Sequence, residues 1–228
     1  MTKNKRQSFR NGLNQFCDIL FTIMNKSKWG KEEKETLAAI DGLSGTILDI
    51  AAGDGRFINK LLEVSDSVLA IDINSSELDR LRDNCPAKLD HKLKTQVVDI
   101  TKKLPYPNDS FDGIFCTGTL HLFDVKTIEL ILDEIKRILK PEGKIVLDFA
   151  TDIERIDKDE NKVIFDGEGN YTSEEAIKLL KNGLSGISLE IEKSFFREED
   201  LNSETGYNRI FGNFLIVTGT KRKKSNVL

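Results

Sequence analysis

Residues 46–57 read T-I-L-D-I-A-A-G-D-G-R-F. The β-branched and aliphatic run Thr46-Ile47-Leu48 passes through Asp49 into the small segment Ala51-Ala52-Gly53-Asp54-Gly55, and Phe57, Leu61 and Leu62 follow with apolar spacing. That order predicts strand, tight turn and helix. Glycines in such a turn reach positive φ and bring bare backbone amides close to a ligand at a helix N-terminus. A lone Gly-x-Gly is explained equally well as a β-α connection that needs glycine for its own geometry, so the surrounding chain has to decide.

Two adenosine-binding readings compete for this loop. A dinucleotide fold requires Gly-x-Gly-x-x-Gly or Ala, because the last small residue lets helix and strand pack closely beside the pyrophosphate. Counting from Gly53 and Gly55, that third position is Ile58, and the fingerprint fails. An adenosine ligand without phosphates needs no third glycine, but it does need an acid placed to hold a cationic amino group, a role open to Asp49. At this point the chain resembles the class I S-adenosylmethionine-dependent methyltransferases, of the type 11-like domain, whose first motif runs Asp-x-Gly-x-Gly-x-Gly. Here the motif stands as Asp49-Ile50-Ala51-Ala52-Gly53-Asp54-Gly55, with alanine for the first glycine. Alanine leaves the turn feasible provided position 51 keeps a negative φ.

The bulk composition fits that reading. At 228 residues and 39% hydrophobic, the chain suits one α/β domain with a single core. A net charge of −4 provides no global basic field for nucleic acid. The three cysteines, Cys17, Cys85 and Cys116, show neither Cys-x-x-Cys spacing nor a Cys/His cluster. No metal site and no disulfide framework is therefore expected, and a reducing cytoplasm fits best. The apolar stretch 16–24 is short, carries Asp18 and is followed by Asn25-Lys26-Ser27-Lys28, so it reads as a soluble helix and not as a signal peptide. No run approaches the roughly 20 apolar residues of a membrane span.

Along the chain, Phe9, Leu13, Phe16, Leu20 and Ile23 or Met24 place one apolar stripe on a helix. A second helix is expected over 31–40, strands at 68–72, 95–99 and 111–116, and a helix started by a Ser76/Asp79 capping box. Ile128, Ile131, Leu132, Ile135, Ile138 and Leu139 form the clearest amphipathic pattern. The turn Lys140-Pro141-Glu142-Gly143 ends it before a strand at 144–147. From 148 to 169 the pattern decays into charge and predicts a solvated loop holding at most a small hairpin. A capping box at Thr172 and Glu175 then opens a helix ending near Gly183, and strands follow at 187–192 and 211–219. Alternating strands and helices predict a doubly wound, Rossmann-like, mostly parallel sheet with helices on both faces. The resemblance adds seven strands with the last antiparallel. The expected organisation is an N-terminal helical cap over 1–44, the methyltransferase domain over 45–220 and a basic tail over 221–228.

Ligands of open α/β sheets bind outside the carboxyl ends of the strands. Asp49, Asp72 and Asp99 all fall at such ends, and a carboxylate at Asp72 can accept both ribose hydroxyls. Alone, each aspartate reads as a turn former or helix cap; three after a glycine loop make a site. The resemblance implies that Asp72 holds the ribose, that Asp99 and the Ile100 amide meet the adenine amino group, and that Ile73 packs on the ring. It also implies donor contacts from Ala51, Gly53, Gly55, Cys116 and Thr117. The motif 110–121, S-F-D-G-I-F-C-T-G-T-L-H, and the stretch 139–144, L-K-P-E-G-K, match the family's fourth and fifth strands. Ala51 and the upstream M-N-K-S-K-W at 24–29 are similar to the quinone-biosynthesis C-methyltransferases, while the histidine-containing sequence after strand four departs from that branch.

Methyl transfer from a sulfonium is an in-line displacement, so alignment alone can supply much of the acceleration. His121, just past strand four, is the candidate general base, with an expected pH-rate limb near neutrality. The competing reading is a packed, structural histidine. Cys116 has no neighbouring base and reads as a core thiol. The sequence thus points to S-adenosylmethionine-dependent methylation of a small molecule. Its rivals are a protein or RNA methyltransferase, which should carry a basic face, and a silent S-adenosylmethionine-binding regulator. The N-terminal stripe either forms a lid over the acceptor, covers the sheet, or meets the partner of a homodimer.

Overall fold

The computed structural model of the chain describes residues 30–164, 169–199 and 206–223. The expected helix at 9–24, Cys17 and most of the basic tail lie outside the described residues. The elements are α1 (Gly30–Ile40), β1 (Thr46–Ile50), α2 (Ile58–Val64), β2 (Ser67–Asp72), α3 (Ser75–Asn84), β3 (Leu93–Val97), β4 (Phe111–Cys116), α4 (Val125–Ile138), β5 (Leu139–Ile156), α5 (Ser173–Gly183), β6 (Ile187–Glu198) and β7 (Arg209–Lys221). They form a seven-stranded sheet of order β3-β2-β1-β4-β5-β7-β6. The first five strands are parallel, and β7 runs antiparallel between β5 and β6.

The inner strands β1, β2 and β4 are largely buried on both faces, which is why they read as continuous apolar runs. In β1, Ile47 belongs to the apolar layer under α1, α2 and α3, formed with Ile40, Leu43, Ile58, Leu61, Leu78 and Leu81. Its neighbour Leu48 belongs to the opposite layer, where Ile128, Ile131, Leu132 and Ile135 of α4 and Ala176 and Leu180 of α5 pack. Strand order reverses beside β1, between β2 and β4, and the C-terminal edge there is where the glycine loop emerges.

Four sequence expectations need correction. First, β3 begins and ends two residues early, because its pairing with β2 runs from Val68↔Leu93 to Asp72↔Val97. Asp99 therefore sits in a turn beyond the strand. Second, α3 is capped by Asn74, whose side chain accepts from the Ser76 amide at 3.0 Å, and not by a Ser76/Asp79 box. Third, the Lys140–Gly143 turn survives only as an irregularity within β5, where the register with β4 jumps between Phe111↔Leu139 and Gly113↔Lys144.

The fourth correction is the largest. The charged stretch expected as a loop continues β5 to Ile156, paired with β7 as far as Ile156↔Arg209. Ladder bonds come from the backbone and are indifferent to side-chain charge, so composition gave no sign of it. The small hairpin is present beyond it, closed by a bridge between Ile156 and Lys162. A bulge interrupts the β5–β7 register between Thr151 and Glu154, with Asp152 at φ 53°. By contrast, the Thr172/Glu175 capping box of α5 forms as expected.

Candidate functional site

The loop after β1 is held against β2. The Ala52 amide donates to the Ile71 carbonyl at 3.0 Å, and the Gly53 amide donates to Oδ2 of Asp72 at 3.0 Å. Oδ1 of Asp72 accepts from the Asn74 amide at 2.8 Å. Both carboxylate oxygens are thus oriented by backbone and retain lone pairs for further donors. Gly55 is required where it stands, since φ is 83° and a Cβ would lie 2.7 Å from Leu81 Cγ. A Cβ on Gly53 would meet no atom within 4 Å, so its backbone faces open space. The expectation that Ala51 keeps a negative φ is wrong: it adopts φ 55°. Its methyl group packs against the main core layer, and the left-handed conformation costs on the order of 1 kcal/mol for a non-glycine residue. Helix α2 begins only at Ile58, which is fully buried where the dinucleotide fingerprint requires a small residue.

Asp49 lies next to last in β1 and is 3% exposed. Its carboxyl makes no hydrogen bond or ion pair among the described residues. Burial, and then the charge of Asp72, push it well above the usual carboxylate range. Asp99 is engaged otherwise. Its Oδ1 accepts from the amide and hydroxyl of Thr101 at 3.0 and 2.6 Å, and Oδ2 pairs with Lys102 at 2.9 Å. Although burial pushes this carboxyl up, those bonds hold it below its ordinary value. Ile100 is buried beside it, whereas Ile73 is 53% exposed at the end of β2, next to exposed Val97 at the end of β3.

Cys116 is fully buried, and burial, with the charges of Asp148 and Asp49, pushes its thiol well up, as a core thiol requires. Past Thr117, the Gly118 amide donates to Oδ1 of Asp148 at 2.7 Å and ties the loop after β4 to β5. That loop makes a short helical turn, Leu120–Leu122, which buries His121 to 6% exposure. Burial, then the charge of Arg155, lower the His121 pKa to about 3. A titration near neutrality is therefore not what this site provides: the imidazole stays neutral throughout the working range.

Sequence reasoning missed several residues here. Asp148 ends an apolar run in the same way as Asp49 and Asp72, and that pattern was the available signal. Arg155 and Tyr207 had none: neither lies in a motif, and the pairing of β5 with β7 is what brings them together. Arg137 was legible only as an i, i+3 partner of Glu134. It forks onto Glu134 at 2.7 and 2.6 Å and donates to the carbonyls of Tyr106 at 2.6 Å and Leu104 at 3.1 Å. The loop that follows Asp99 and Ile100 is thereby clamped to α4. No group of three or more metal-ligating side chains occurs among the described residues.

Comparison with known proteins places this arrangement. Residues 47–143 match the family profile described as a methyltransferase domain. A demethylmenaquinone methyltransferase of Symbiobacterium thermophilum is 29% identical over 135 residues, covering 57% of this chain and 52% of that protein. A 27-O-demethylrifamycin SV methyltransferase of Amycolatopsis mediterranei is 26% identical over 165 residues, covering 64% and 60%. The chain thus spans little more than half the length of the curated relatives it matches. Among solved structures, the DhpI–SAH complex superposes with a TM-score of 0.60 at 16% identity, covering 96% of this chain and 95% of that one. Family profile and fold agree in what they show: residues 47–143 carry a methyltransferase domain, set in a Rossmann-like sheet shared with solved methyltransferase structures. Among the described residues no helix is long and apolar enough to cross a membrane.

Proposed function

We propose that this chain transfers a methyl group from S-adenosylmethionine to a small-molecule acceptor by in-line displacement, with residues 45–220 as the catalytic unit, in the cytoplasm. The observation that carries the donor assignment is Asp49, a nearly buried carboxyl with no counter-charge among the described residues. A buried ionised carboxylate is costly alone and favourable against a cation, and the ammonium of the donor's methionine part is such a cation. Asp72 is already aimed by two amides to accept the ribose hydroxyls. Ile73 and Val97 offer an exposed apolar slot for the adenine ring. Asp99 and the Ile100 amide border that slot, with Arg137 holding the following loop in place. Gly53 and Gly55 shape the loop under the methionine part, Ala51 lines it, and Cys116 and Thr117 close it from β4.

When bound, the donor supplies an electrophilic methyl group on a sulfonium. The residues bind, orient and exclude water, which suffices for a displacement that needs no covalent enzyme intermediate. His121 borders the acceptor side, where the loop after β4 meets β5. The small-molecule reading is supported by the acceptors named for the relatives, a demethylated menaquinone and a demethylated rifamycin, and by the acidic net charge of −4. The test is calorimetry with S-adenosylhomocysteine and NAD in parallel, followed by turnover of methyl-labelled donor against a metabolite library. Binding of S-adenosylhomocysteine alone and labelled low-molecular-weight product are expected. Tight NAD binding, or label found only on protein or RNA, would contradict the proposal.

A further inference from the structure

The connections β1–β2, β2–β3 and β4–β5 run through the helices α2, α3 and α4. The connection from β3 to β4, residues 98–110, holds neither helix nor strand, although it crosses from the edge of the sheet past β2 and β1. Val98, Ile100 and Leu104 sink into the apolar layer that α4 covers. A buried connection without a helix must find partners for its backbone elsewhere. One turn of α4 supplies them.

The Leu104 amide donates to Oε2 of Glu134 at 2.7 Å, and the Leu104 carbonyl accepts from Nη2 of Arg137 at 3.1 Å. Nη1 of Arg137 donates to the Tyr106 carbonyl at 2.6 Å and to Oδ1 of Asn108 at 3.1 Å, while Nε and Nη2 fork onto Glu134 at 2.7 and 2.6 Å. Every N–H of the guanidinium is thereby matched to an acceptor. The clamp reaches β3 through Tyr106, whose ring stands edge-on to Phe111 with centroids 5.3 Å apart and whose hydroxyl donates to Oε1 of Gln96 at 3.0 Å. Gln96 precedes Val97, the exposed apolar residue offered to the adenine ring, and Asp99 and Ile100 follow it. The Val98 amide donates to the Asp72 carbonyl at 2.9 Å and fixes the same segment to β2.

We propose that Arg137, oriented by Glu134 and acting through Tyr106, positions the wall that reads the donor's base, so that preference for adenine is set from α4. Arg137 is a positioning residue, since all its donors are spent on protein. The inference rests on the methyl-transfer reading above, in which Asp99 and the Ile100 amide meet the base. A carboxylate only accepts and an amide N–H only donates. Adenine answers them with an amino group and a bare ring nitrogen, whereas hypoxanthine presents an oxo group and a ring N–H at the same places. Such discrimination depends on alignment, because a misdirected hydrogen bond is worth little.

The probes are S-adenosylhomocysteine and S-inosylhomocysteine, which differ only at the base, with binding measured by calorimetry. Wild-type protein should bind the adenosyl compound about tenfold or more tightly than the inosyl compound. Tyr106→Phe keeps the ring and removes only the bond to Gln96, and it should lower that ratio about threefold. Arg137→Gln should lower it about tenfold, chiefly through weaker binding of the adenosyl compound, with Arg137→Lys in between. Asp72→Ala acts at the ribose common to both and should weaken both compounds alike, leaving the ratio as in wild type. A wild-type ratio near one, or a ratio unchanged in Tyr106→Phe, would overturn the proposal. Equal loss of both compounds in Arg137→Gln would overturn it too, because that is the mark of a role in folding alone. Should Arg137→Gln fail to fold, the ratio in Tyr106→Phe decides by itself. Failure of wild-type protein to bind S-adenosylhomocysteine at all would instead contradict the methyl-transfer reading, so the two failures are told apart.

Discussion

The two sides of the site are built on different principles. On the donor side, the functional carboxyls stand at or just beyond strand ends, and two of them are held in part by neighbours close in sequence, Asp72 by the Asn74 amide and Asp99 by Thr101. On the side proposed for the acceptor, several of the contacts that join the elements span long separations. Oδ2 of Asp152 accepts from Asn213 at 2.8 Å and from the Ser173 amide at 3.2 Å, Tyr171 donates to the Phe123 carbonyl at 2.7 Å, and Arg155 lies over Tyr207. A site assembled from local turns can be written as a motif. A site assembled from a bulged, overrunning ladder varies with the lengths of its strands, which suits the part of an enzyme that distinguishes substrates.

The contrast can be broken on either side. The largest effect is expected from His121. In the unfolded chain this histidine takes up a proton near pH 6.5, whereas in the folded protein it does so only near pH 3. Between those values unfolding binds a proton, so stability falls as pH falls through the window. The difference reaches on the order of 4 kcal/mol at its lower end. Denaturant titrations of wild type and His121→Gln from pH 7 to 4 should converge as the wild type loses this advantage. Parallel curves would show that the imidazole is solvated and that the buried acceptor wall is wrong.

Next comes Asp72 on the donor side. Removing two charge-assisted bonds to ribose while leaving the Gly53 and Asn74 amides to water should weaken S-adenosylhomocysteine by about 2 to 4 kcal/mol in Asp72→Ala. Calorimetric affinity within twofold of wild type would detach Asp72 from the ribose. The smallest effect concerns the frame shared by both sides. Thr172→Ala breaks the capping box that starts α5 and should cost about 1 kcal/mol in urea unfolding with donor affinity unchanged. A loss of donor affinity there would mean that the two walls are mechanically coupled and not independently built.

This division also explains what could be read from the sequence. The sheet, the glycine loop and the aspartates at Asp49, Asp72 and Asp99 were legible because buried parallel strands are apolar on both faces and turns announce themselves in glycine and aspartate. Asp148 was within reach of the same pattern. The extension of β5 through Glu154 and Arg155 was not, because a strand whose side chains are charged is specified by its partner β7, more than fifty residues later. The sign of φ at Ala51 escaped for a related reason: alanine disfavours the left-handed region locally, and the surrounding loop and core impose it. His121 was found as a residue, but its chemistry was misread, since burial and a distant arginine set its pKa.

On the proposed reading, Asp49 is held at a cost to the free protein in order to meet a cation. With its pKa raised in the fold, its contribution favours the folded state at acid pH and is lost as pH rises through the folded value. Donor binding, which requires the ionised form, should strengthen over the same rise and release a proton. The direct measurement is Asp49→Asn at pH 7.5, with melting temperature and S-adenosylhomocysteine affinity determined on one preparation. The free variant should melt higher, by about 2 to 4 °C for each kcal/mol relieved, and should lose at least roughly tenfold in affinity. A variant that melts lower and binds S-adenosylhomocysteine as wild type does would contradict it.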